Sequence, residues 1–279
     1  MAAVRIVTDS ACDLTKDEAA ALQITVVPLT IRFGDEELTD GVQLGVSEFY
    51  ARMATTAKLP ETAAPSPGLF EEAFRAAAAD GASGVVCIDL SSSLSATMSS
   101  AQLAAEAVKD TIDVRVVDSR SIASGLGTQV LRAAQSARDG ISLDDIEATA
   151  RDYAGRTHVV ATLDTLDNLK KGGRIGGAQA MIGSLLNVKP VIDISSGVVE
   201  QAAKPRTRRK SLEWLRDHLF AAGEVDGLCI SHGEAPDIDD FLTLIESRYP
   251  RDQVRVSVIG PVIGSHGGPR VLGVTYFAT

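Results

Sequence analysis

Cysteine and aromatic residues are scarce in this chain. Its 279 residues include three cysteines, and phenylalanine, tryptophan and tyrosine together make up 4%. Cys12, Cys87 and Cys229 lie far apart and show no CxxC spacing, so we expect them to be reduced and buried. Hydrophobic residues nevertheless make up 45% of the chain. The core, and any cavity inside it, must therefore be mostly aliphatic.

Positive charge is also in short supply. Lysine and arginine number 27 against 37 aspartates and glutamates, which gives a formal net charge of −10. A general nucleic-acid surface needs clustered positive charge to displace counterions from phosphates, and an anionic membrane surface attracts the same kind of charge. We therefore expect no nucleic-acid partner and at most transient membrane contact.

Long apolar runs are absent from the sequence. No segment approaches the roughly 20 apolar residues that span a bilayer. The start, MAAVRIVTDS, leads into a predicted strand without the basic region and apolar core of a signal peptide. We expect a cytoplasmic location.

Motifs for metals and nucleotides are missing as well. The sequence has no HExxH, no paired Cys-His cluster, no acidic calcium loop and no GxxxxGK[ST] phosphate loop. The glycine-rich segment GGRIGG at 172–177 does not match GxGxxG. We expect no metal and no cofactor.

In the first half of the chain, predicted strands alternate with predicted helices. The strands are 4–8, 25–29, 84–90 and 114–117, and a capping box from Thr15 to Glu18 opens the first helix. Alternation at 29–33 before Gly34 predicts a small hairpin that projects from the main sheet. Strands that alternate with helices indicate a parallel sheet with right-handed crossovers.

The second half has a different pattern. It contains a predicted hairpin at 188–194 and 198–202, an amphipathic helix at 207–222 and further strands at 227–230, 254–259 and 271–277. The sequence thus predicts an α/β protein with an N-terminal three-layer parallel-sheet domain at 1–155 and a C-terminal mixed-sheet α/β domain at 156–279. The hairpin forms an insertion at about 25–45 in the first domain.

Polar residues follow three of the first four predicted strands. They are Asp9-Ser10, the segment SSSLSAT at 91–97, and Asp118-Ser119. Ligands of open parallel sheets collect at the carboxyl ends of the strands, and the free N–H groups at a helix start attract anions. One hydroxyl is enough to cap a helix, whereas the 91–97 loop carries five. This loop therefore predicts an anion or carboxylate site.

Two more candidate residues come from distant segments. Thr62 lies in a predicted loop rich in Thr, Ala and Pro, just before a helix that we expect to begin at Ser66-Pro67. His266 lies in GPVIGSHGGPR at 260–270, where the glycines allow a close approach of the backbone to another segment. The residues alone leave open whether His266 is a structural donor or a site residue.

A serine hydrolase is one alternative. Ser95, His266 and Asp9 supply the residue types of a catalytic triad, but no GxSxG elbow marks a strained nucleophile.

A regulatory or interaction module is another alternative. A basic run opens the helix predicted at 207–222, where positive charge opposes the helix dipole. It is either a solvated surface or a docking patch for an acidic partner. Its members are Lys204, Arg206, Arg208, Arg209 and Lys210.

Five segments in order resemble the DegV family of bacterial fatty-acid-binding proteins, and the resemblance extends over the whole chain. They are VTDSACDL at 7–14, TAAPSPG at 62–68, SSSLSAT at 91–97, LKKGGRI at 169–175 and GSHGGP at 264–269. The resemblance implies that a long-chain fatty acid lies between the two domains. It also implies a separate fatty-acid kinase that phosphorylates the carboxylate for phospholipid synthesis, so the chain itself would be a carrier and not an enzyme.

The resemblance also implies roles for individual residues. Arg174 and Arg206 match positions that meet the kinase, and Ala96 stands where the family commonly has glycine. Similarly, Met98 and Ala64 stand where an aromatic residue and a glutamine are common. The residues that would bind the carboxylate are Thr62, Ser93, Ser95, Ala96, Ser265 and His266.

Overall fold

The computed structural model describes residues 4–56, 58–181 and 188–279, so Met1 to Ala3 of the predicted N-terminal start lie outside it. The strands are β1 (Val4–Asp9), β2 (Thr25–Val27), β3 (Thr30–Phe33), β4 (Glu36–Thr39), β5 (Glu61–Ala63), β6 (Gly84–Asp89), β7 (Val114–Asp118), β8 (Thr157–Thr162), β9 (Val191–Asp193), β10 (Glu200–Ala203), β11 (Val225–His232), β12 (Arg255–Val258) and β13 (Leu272–Ala278). The helices are α1 (Lys16–Ala21), α2 (Val46–Thr55), α3 (Pro67–Ala79), α4 (Thr97–Val108), α5 (Ala123–Arg138), α6 (Leu143–Arg156), α7 (Asp167–Lys171), α8 (Arg208–Ala221), α9 (Ile238–Ile245) and α10 (Pro261–Gly267).

The first half forms a three-layer unit around a parallel sheet of order β2-β1-β6-β7. Helices α3 and α4 pack on one face through Phe70, Phe74 and Ala101, while α5 and α6 cover the other through Leu126 and Ile146. All six residues of β6 are buried, which explains why this strand is a nearly continuous apolar run that ends in Asp89. The predicted fold class is confirmed for this half.

The second half is built on a mixed sheet of order β10-β9-β8-β13-β11-β12. Its one parallel pair among the described strands is β11 with β12, as predicted for a mixed sheet. Helices α8 and α9 cover one face through Leu215, Leu219 and Phe241. The other face packs against α5 of the first half, so one hydrophobic cluster extends through both halves. The boundary at 155/156 stays a prediction.

A third, small sheet of order β4-β3-β5 lies beside the main layers. The predicted hairpin is confirmed as β3 and β4, but the prediction of a loop around Thr62 is partly wrong. Residues 61–63 form β5, in which Thr62 pairs with Ile31 of β3. A strand of three residues depends on its partner strand, and its sequence alone carries too little periodicity to reveal it.

Two other features bear on the function classes considered above. The three cysteines are free and buried, as expected. Across residues 4–56, 58–181 and 188–279, the helices are too short or too polar to cross a membrane.

Candidate functional site

A cavity of about 170 Å³ lies between the two halves of the molecule. Its walls are mostly aliphatic, as the composition predicted, and they come from the first half through Leu90 and Ile122 and from the second through Val159, Ile192 and Val262. The polar lining residues include the side chains of Thr62, Ser95, Arg174 and His266. The cavity thus combines an apolar body with a group of hydrogen-bond donors.

Thr62 and His266 form the central contact of this polar group. Thr62 Oγ1 lies 2.9 Å from His266 Nε2, although 204 positions separate the two residues in the chain. Strand β5 places Thr62, and the short helix α10 places His266, so the glycine-rich segment at 260–270 is helical over most of its length. Gly264 allows this helix to pass close to α2, since a Cβ there would lie 2.8 Å from Phe49 and Tyr50. The predicted close approach of the backbone is confirmed.

His266 is neutral at neutral pH. Burial lowers its pKa from 6.5 to about 4, and the positive charge of Arg174 acts in the same direction. Its Nδ1 is buried without a hydrogen-bond partner among the described residues. Because a bare nitrogen acceptor costs less to bury than an unpaired N–H, we assign the proton to Nε2. The imidazole then donates to Thr62 Oγ1, which leaves the Thr62 hydroxyl free to donate to a ligand.

Gly172 lies against the other side of the imidazole ring. A Cβ at this position would lie 2.4 Å from His266 Nδ1 and 2.9 Å from its Cε1. Real side chains do not approach that closely, so the ring occupies space that only glycine leaves open. Gly172 was not among the predicted site residues, although it lies in the 169–175 motif.

Arg174 brings a positive charge to the cavity. Its Nε donates to the carbonyl oxygen of Leu94 at 3.1 Å, and its Nη1 donates to the carbonyl oxygen of Gly172 at 2.8 Å. These two carbonyls hold the guanidinium at the junction of the 91–97 loop and the second half. No carboxylate pairs with Arg174 in the part of the chain that the structure describes. Its charge is available to an anionic ligand inside the cavity.

The 91–97 loop uses most of its hydroxyls for its own structure. Ser91 Oγ donates to the carbonyl oxygen of Gly197 at 2.5 Å, which links the loop to the second half. Ser92 bonds to Asp118 at the end of β7, and Ser95 Oγ lies 2.8 Å from Thr97 Oγ1. Of this loop, Leu94, Ser95 and Ala96 line the cavity, so most of its five hydroxyls do not face a ligand there. The carboxylate site predicted from the loop stays a prediction.

The other predicted site residues lie in different surroundings. Ser93 is exposed beside the cavity lining, and Ser265 is buried with its hydroxyl donating to the carbonyl oxygen of Pro261 at 2.7 Å. Ala96 lines the cavity with φ near −79°, so this backbone does not require glycine. Arg206 is exposed, and its side chain contributes nothing to the cavity lining.

The basic run is only partly free. Arg208 forms a largely buried ion pair with Asp237 at 2.7 Å, and Arg209 pairs with Glu213 at 2.8 Å. Arg208 therefore contributes to structure, whereas Lys204, Arg206 and Lys210 are exposed.

A catalytic triad is not formed at this site. The carboxylate of Asp9 is buried and accepts the backbone N–H groups of Ala11 at 2.8 Å and Leu90 at 2.7 Å. His266 bonds to Thr62, and no hydrogen bond joins it to Ser95 or Asp9 within the described ranges. The geometry gathers hydrogen-bond donors at the polar part of the cavity and places no base against Ser95.

The fold and the site together define a class of protein: an α/β protein with two main sheets and a small third sheet, and with an internal, mostly aliphatic cavity that carries neutral and cationic donors. The chain belongs to the DegV family. The DegV family model, described as "Uncharacterised protein, DegV family", matches residues 3–279.

Known proteins resemble the chain over nearly its full length. A DegV domain-containing protein of Streptomyces coelicolor is 38% identical, covering 97% of each chain. A fatty-acid-binding DegV family protein from Thermus thermophilus is 31% identical with a TM-score of 0.91, covering 99% of this chain and 100% of that one. The fatty-acid-binding DegV of Bacillus subtilis is 29% identical with a TM-score of 0.87, covering both chains completely.

Proposed function

We propose that this protein binds a long-chain fatty acid in the cavity between its two halves, with the carboxylate held by Thr62, Ser95 and Arg174 and with His266 orienting the Thr62 hydroxyl. The observation that carries the proposal is an aliphatic cavity that also contains a hydroxyl oriented by a neutral imidazole and a guanidinium with no carboxylate partner among the described residues. The two structural relatives named above are described as fatty-acid-binding proteins, which supports the same class of ligand.

The acyl chain and the carboxylate make different contributions to the free energy of binding. Burial contributes about 0.8 kcal/mol per methylene, so roughly 16 methylenes contribute about 13 kcal/mol before costs. Association costs about 4–15 kcal/mol, and each hydrogen bond to a charged head contributes about 1.5–3 kcal/mol. The tail therefore supplies most of the affinity, and the polar group fixes the direction in which the acid enters.

Native mass spectrometry tests the binding. Protein incubated with stearic acid should gain one acid per chain. Stearyl alcohol, which has the same tail and no charge, should bind at least about a hundredfold more weakly because two charge-assisted bonds are lost. Equal occupancy by acid and alcohol would refute the proposed carboxylate site, and no occupancy by either would refute the proposed function.

We further propose that the bound acid is presented to a separate fatty-acid kinase, with Arg206 at the docking surface. The support is the family resemblance, together with the exposure of Ser93 and Ala96 beside the polar part of the cavity and of Arg206 on the surface. The protein loaded with acid should support acyl-phosphate formation by a bacterial fatty-acid kinase with ATP, measured by trapping with hydroxylamine. Arg206→Glu should abolish that formation and leave fatty-acid occupancy intact. The matched control is Arg138→Glu, at the end of α5.

A further inference from the structure

Three hydroxyl side chains meet in the wall of the cavity between the two halves. Ser124 comes from the first turn of α5, Ser231 from β11 and Thr275 from β13. Ser124 Oγ hydrogen-bonds to Ser231 Oγ and lies 2.9 Å from Thr275 Oγ1, although these two partners are 107 and 151 positions away in the chain. We call these three residues the hydroxyl cluster. Ser231 and Thr275 line the cavity itself.

The mouth of the cavity is at its polar group, away from the hydroxyl cluster. Among the described lining residues Ala96 alone is exposed, and Thr62 and His266 are half-buried. Ser231 and Thr275 are each 2% exposed. The aliphatic lining residues are buried to a similar degree, as the wall of an enclosed cavity must be. The hydroxyl cluster therefore belongs to the closed part of the cavity.

The segment that leads into β13 connects the mouth with the hydroxyl cluster. A Cβ at Gly267, the residue after His266, would lie 3.5 Å from Val271, so this segment begins beside the polar group. Thr275 is four residues beyond Val271, which is roughly 13 Å at the rise of a strand. Because a carbon–carbon single bond is about 1.5 Å long, an extended acyl chain covers that length with roughly ten carbons. The hydroxyl cluster therefore lies beside the distal half of a stearic acid molecule.

The hydrogen-bonding capacity of the hydroxyl cluster is not used up within the protein. Thr275 Oγ1 reaches the carbonyl oxygen of Cys229 at 3.4 Å, whereas Ser231 Oγ has one oxygen partner in the described part of the chain, Ser124 Oγ. The Cys229 thiol also faces Ser124 and Ser231, but a thiol is a weak partner. A hydroxyl can donate one hydrogen bond and accept two. Ser231 can therefore form a further bond with a group inside the cavity.

A saturated acyl chain would leave this capacity unused. Such a chain offers neither a donor nor an acceptor, and a buried polar group without its full set of partners costs free energy. The backbone beside the hydroxyl cluster is also strained. Ala123 lines the cavity with φ of 52°, in the left-handed region that favours glycine, and it places Ser124 against β11 and β13. Strained residues of this kind concentrate at ligand sites.

We propose that the preferred ligand is a long-chain hydroxy fatty acid whose hydroxyl lies in the distal half of the chain and hydrogen-bonds to Ser231 in the hydroxyl cluster. This proposal rests on the fatty-acid binding proposed above and names the class of acid. A hydroxyl on the acyl chain both donates and accepts, so it matches a group of hydroxyls that can rotate to do either.

Displacement of a fluorescent fatty acid measures the affinities of stearic acid and its hydroxy derivatives. The 10- and 12-hydroxystearic acids place their hydroxyl near the hydroxyl cluster. The better placed of the two should bind about two- to tenfold more tightly than stearic acid, which corresponds to one hydrogen bond. By contrast, 6-hydroxystearic acid places its hydroxyl against the aliphatic wall. It should bind about tenfold more weakly than stearic acid, because its hydroxyl loses water and gains no partner.

Ser231→Ala removes the hydroxyl on which the preference depends. This variant should bind stearic acid as the wild type does, which also shows that it folds. It should bind the preferred hydroxy acid about tenfold more weakly than the wild type does. Ser211→Ala is the matched control, because it removes a buried hydroxyl that donates to backbone carbonyls within α8 and does not line the cavity. This control should keep the wild-type preference.

The outcomes separate this proposal from the fatty-acid binding on which it rests. Stearic acid might be bound by the wild type at least as tightly as both the 10- and 12-hydroxy acids, or the preference might be unchanged in Ser231→Ala. Either result would overturn the preference for a hydroxy acid and leave fatty-acid binding intact. Failure of stearic acid and of all its hydroxy derivatives to bind would overturn both proposals.

Discussion

Substitution of Gly172 by alanine should weaken fatty-acid binding although Gly172 itself need not touch the ligand. The added methyl group would lie 2.4 Å from His266 Nδ1 and 3.0 Å from the carbonyl oxygen of Asn168. The imidazole side chain can move more easily than the backbone carbonyl of Asn168, so the imidazole should move away from α7. That movement breaks the 2.9 Å contact with Thr62 and leaves its hydroxyl without a fixed orientation.

The size of the effect follows from the bonds that are lost. Each hydrogen bond to a charged carboxylate contributes about 1.5–3 kcal/mol, and each 1.4 kcal/mol changes a dissociation constant tenfold. Gly172→Ala should therefore raise the Kd for stearic acid about ten- to a hundredfold. Strain from the added methyl should also lower the free energy of unfolding by about 1–3 kcal/mol.

Gly173→Ala is the matched control beside it. Gly173 has φ of +71°, and a Cβ added there would have no atom within 4 Å, so alanine strains the backbone without displacing His266. The free energy of unfolding of this control should fall by about 1 kcal/mol, and its affinity for stearic acid should stay unchanged. Titration of both variants with a fluorescent fatty acid, competed by stearic acid, measures the difference. Equal affinities for wild type and Gly172→Ala would refute the role assigned to the imidazole.

Thr62→Val keeps a β-branched residue in β5 but removes the hydroxyl, so the Kd for stearic acid should rise about tenfold. Thr62→Ser keeps the hydroxyl, so its Kd should stay near that of the wild type, and calorimetry distinguishes the two variants. Arg174→Gln should weaken the binding of stearic acid about tenfold and leave the binding of stearyl alcohol unchanged. It should also raise the pKa of His266, measured by NMR titration, because the neighbouring positive charge is removed. Because the folded pKa of His266 is about 4 against an ordinary 6.5, protonation favours the unfolded chain. The free energy of unfolding should therefore fall by up to about 3 kcal/mol as the pH drops from 6.5 toward 4. In His266→Gln it should fall less over the same pH range, and urea unfolding measures the difference.

Much of the fold was predictable from local patterns. The capping box at Thr15 and the nearly continuous apolar run of β6 are determined by neighbouring residues, so they appear in the sequence and in the structure alike. The short strand β5 was missed because its stability comes from pairing with β3, twenty-nine or more positions away. Local periodicity carries no information about such a partner.

The candidate site was predictable in part. Family motifs singled out Thr62, Ser95 and His266, and the structure brings all three to one cavity. The number of hydroxyls in the 91–97 loop was a poor guide to how many of them line the cavity, because Gly197 and Asp118 from distant segments take up its hydrogen bonds. The place of Arg174 inside the cavity was missed for a similar reason, since the Leu94 carbonyl that holds it is 80 positions away.

The most direct measurement of the central claim is a crystal structure of the protein with stearic acid. The carboxylate should lie within hydrogen-bond distance of Thr62 Oγ1 and face Arg174, and the acyl chain should extend along Ile122, Val159 and Ile192. A carboxylate bound elsewhere, or an acyl chain that lies outside the cavity between the two halves, would contradict the account.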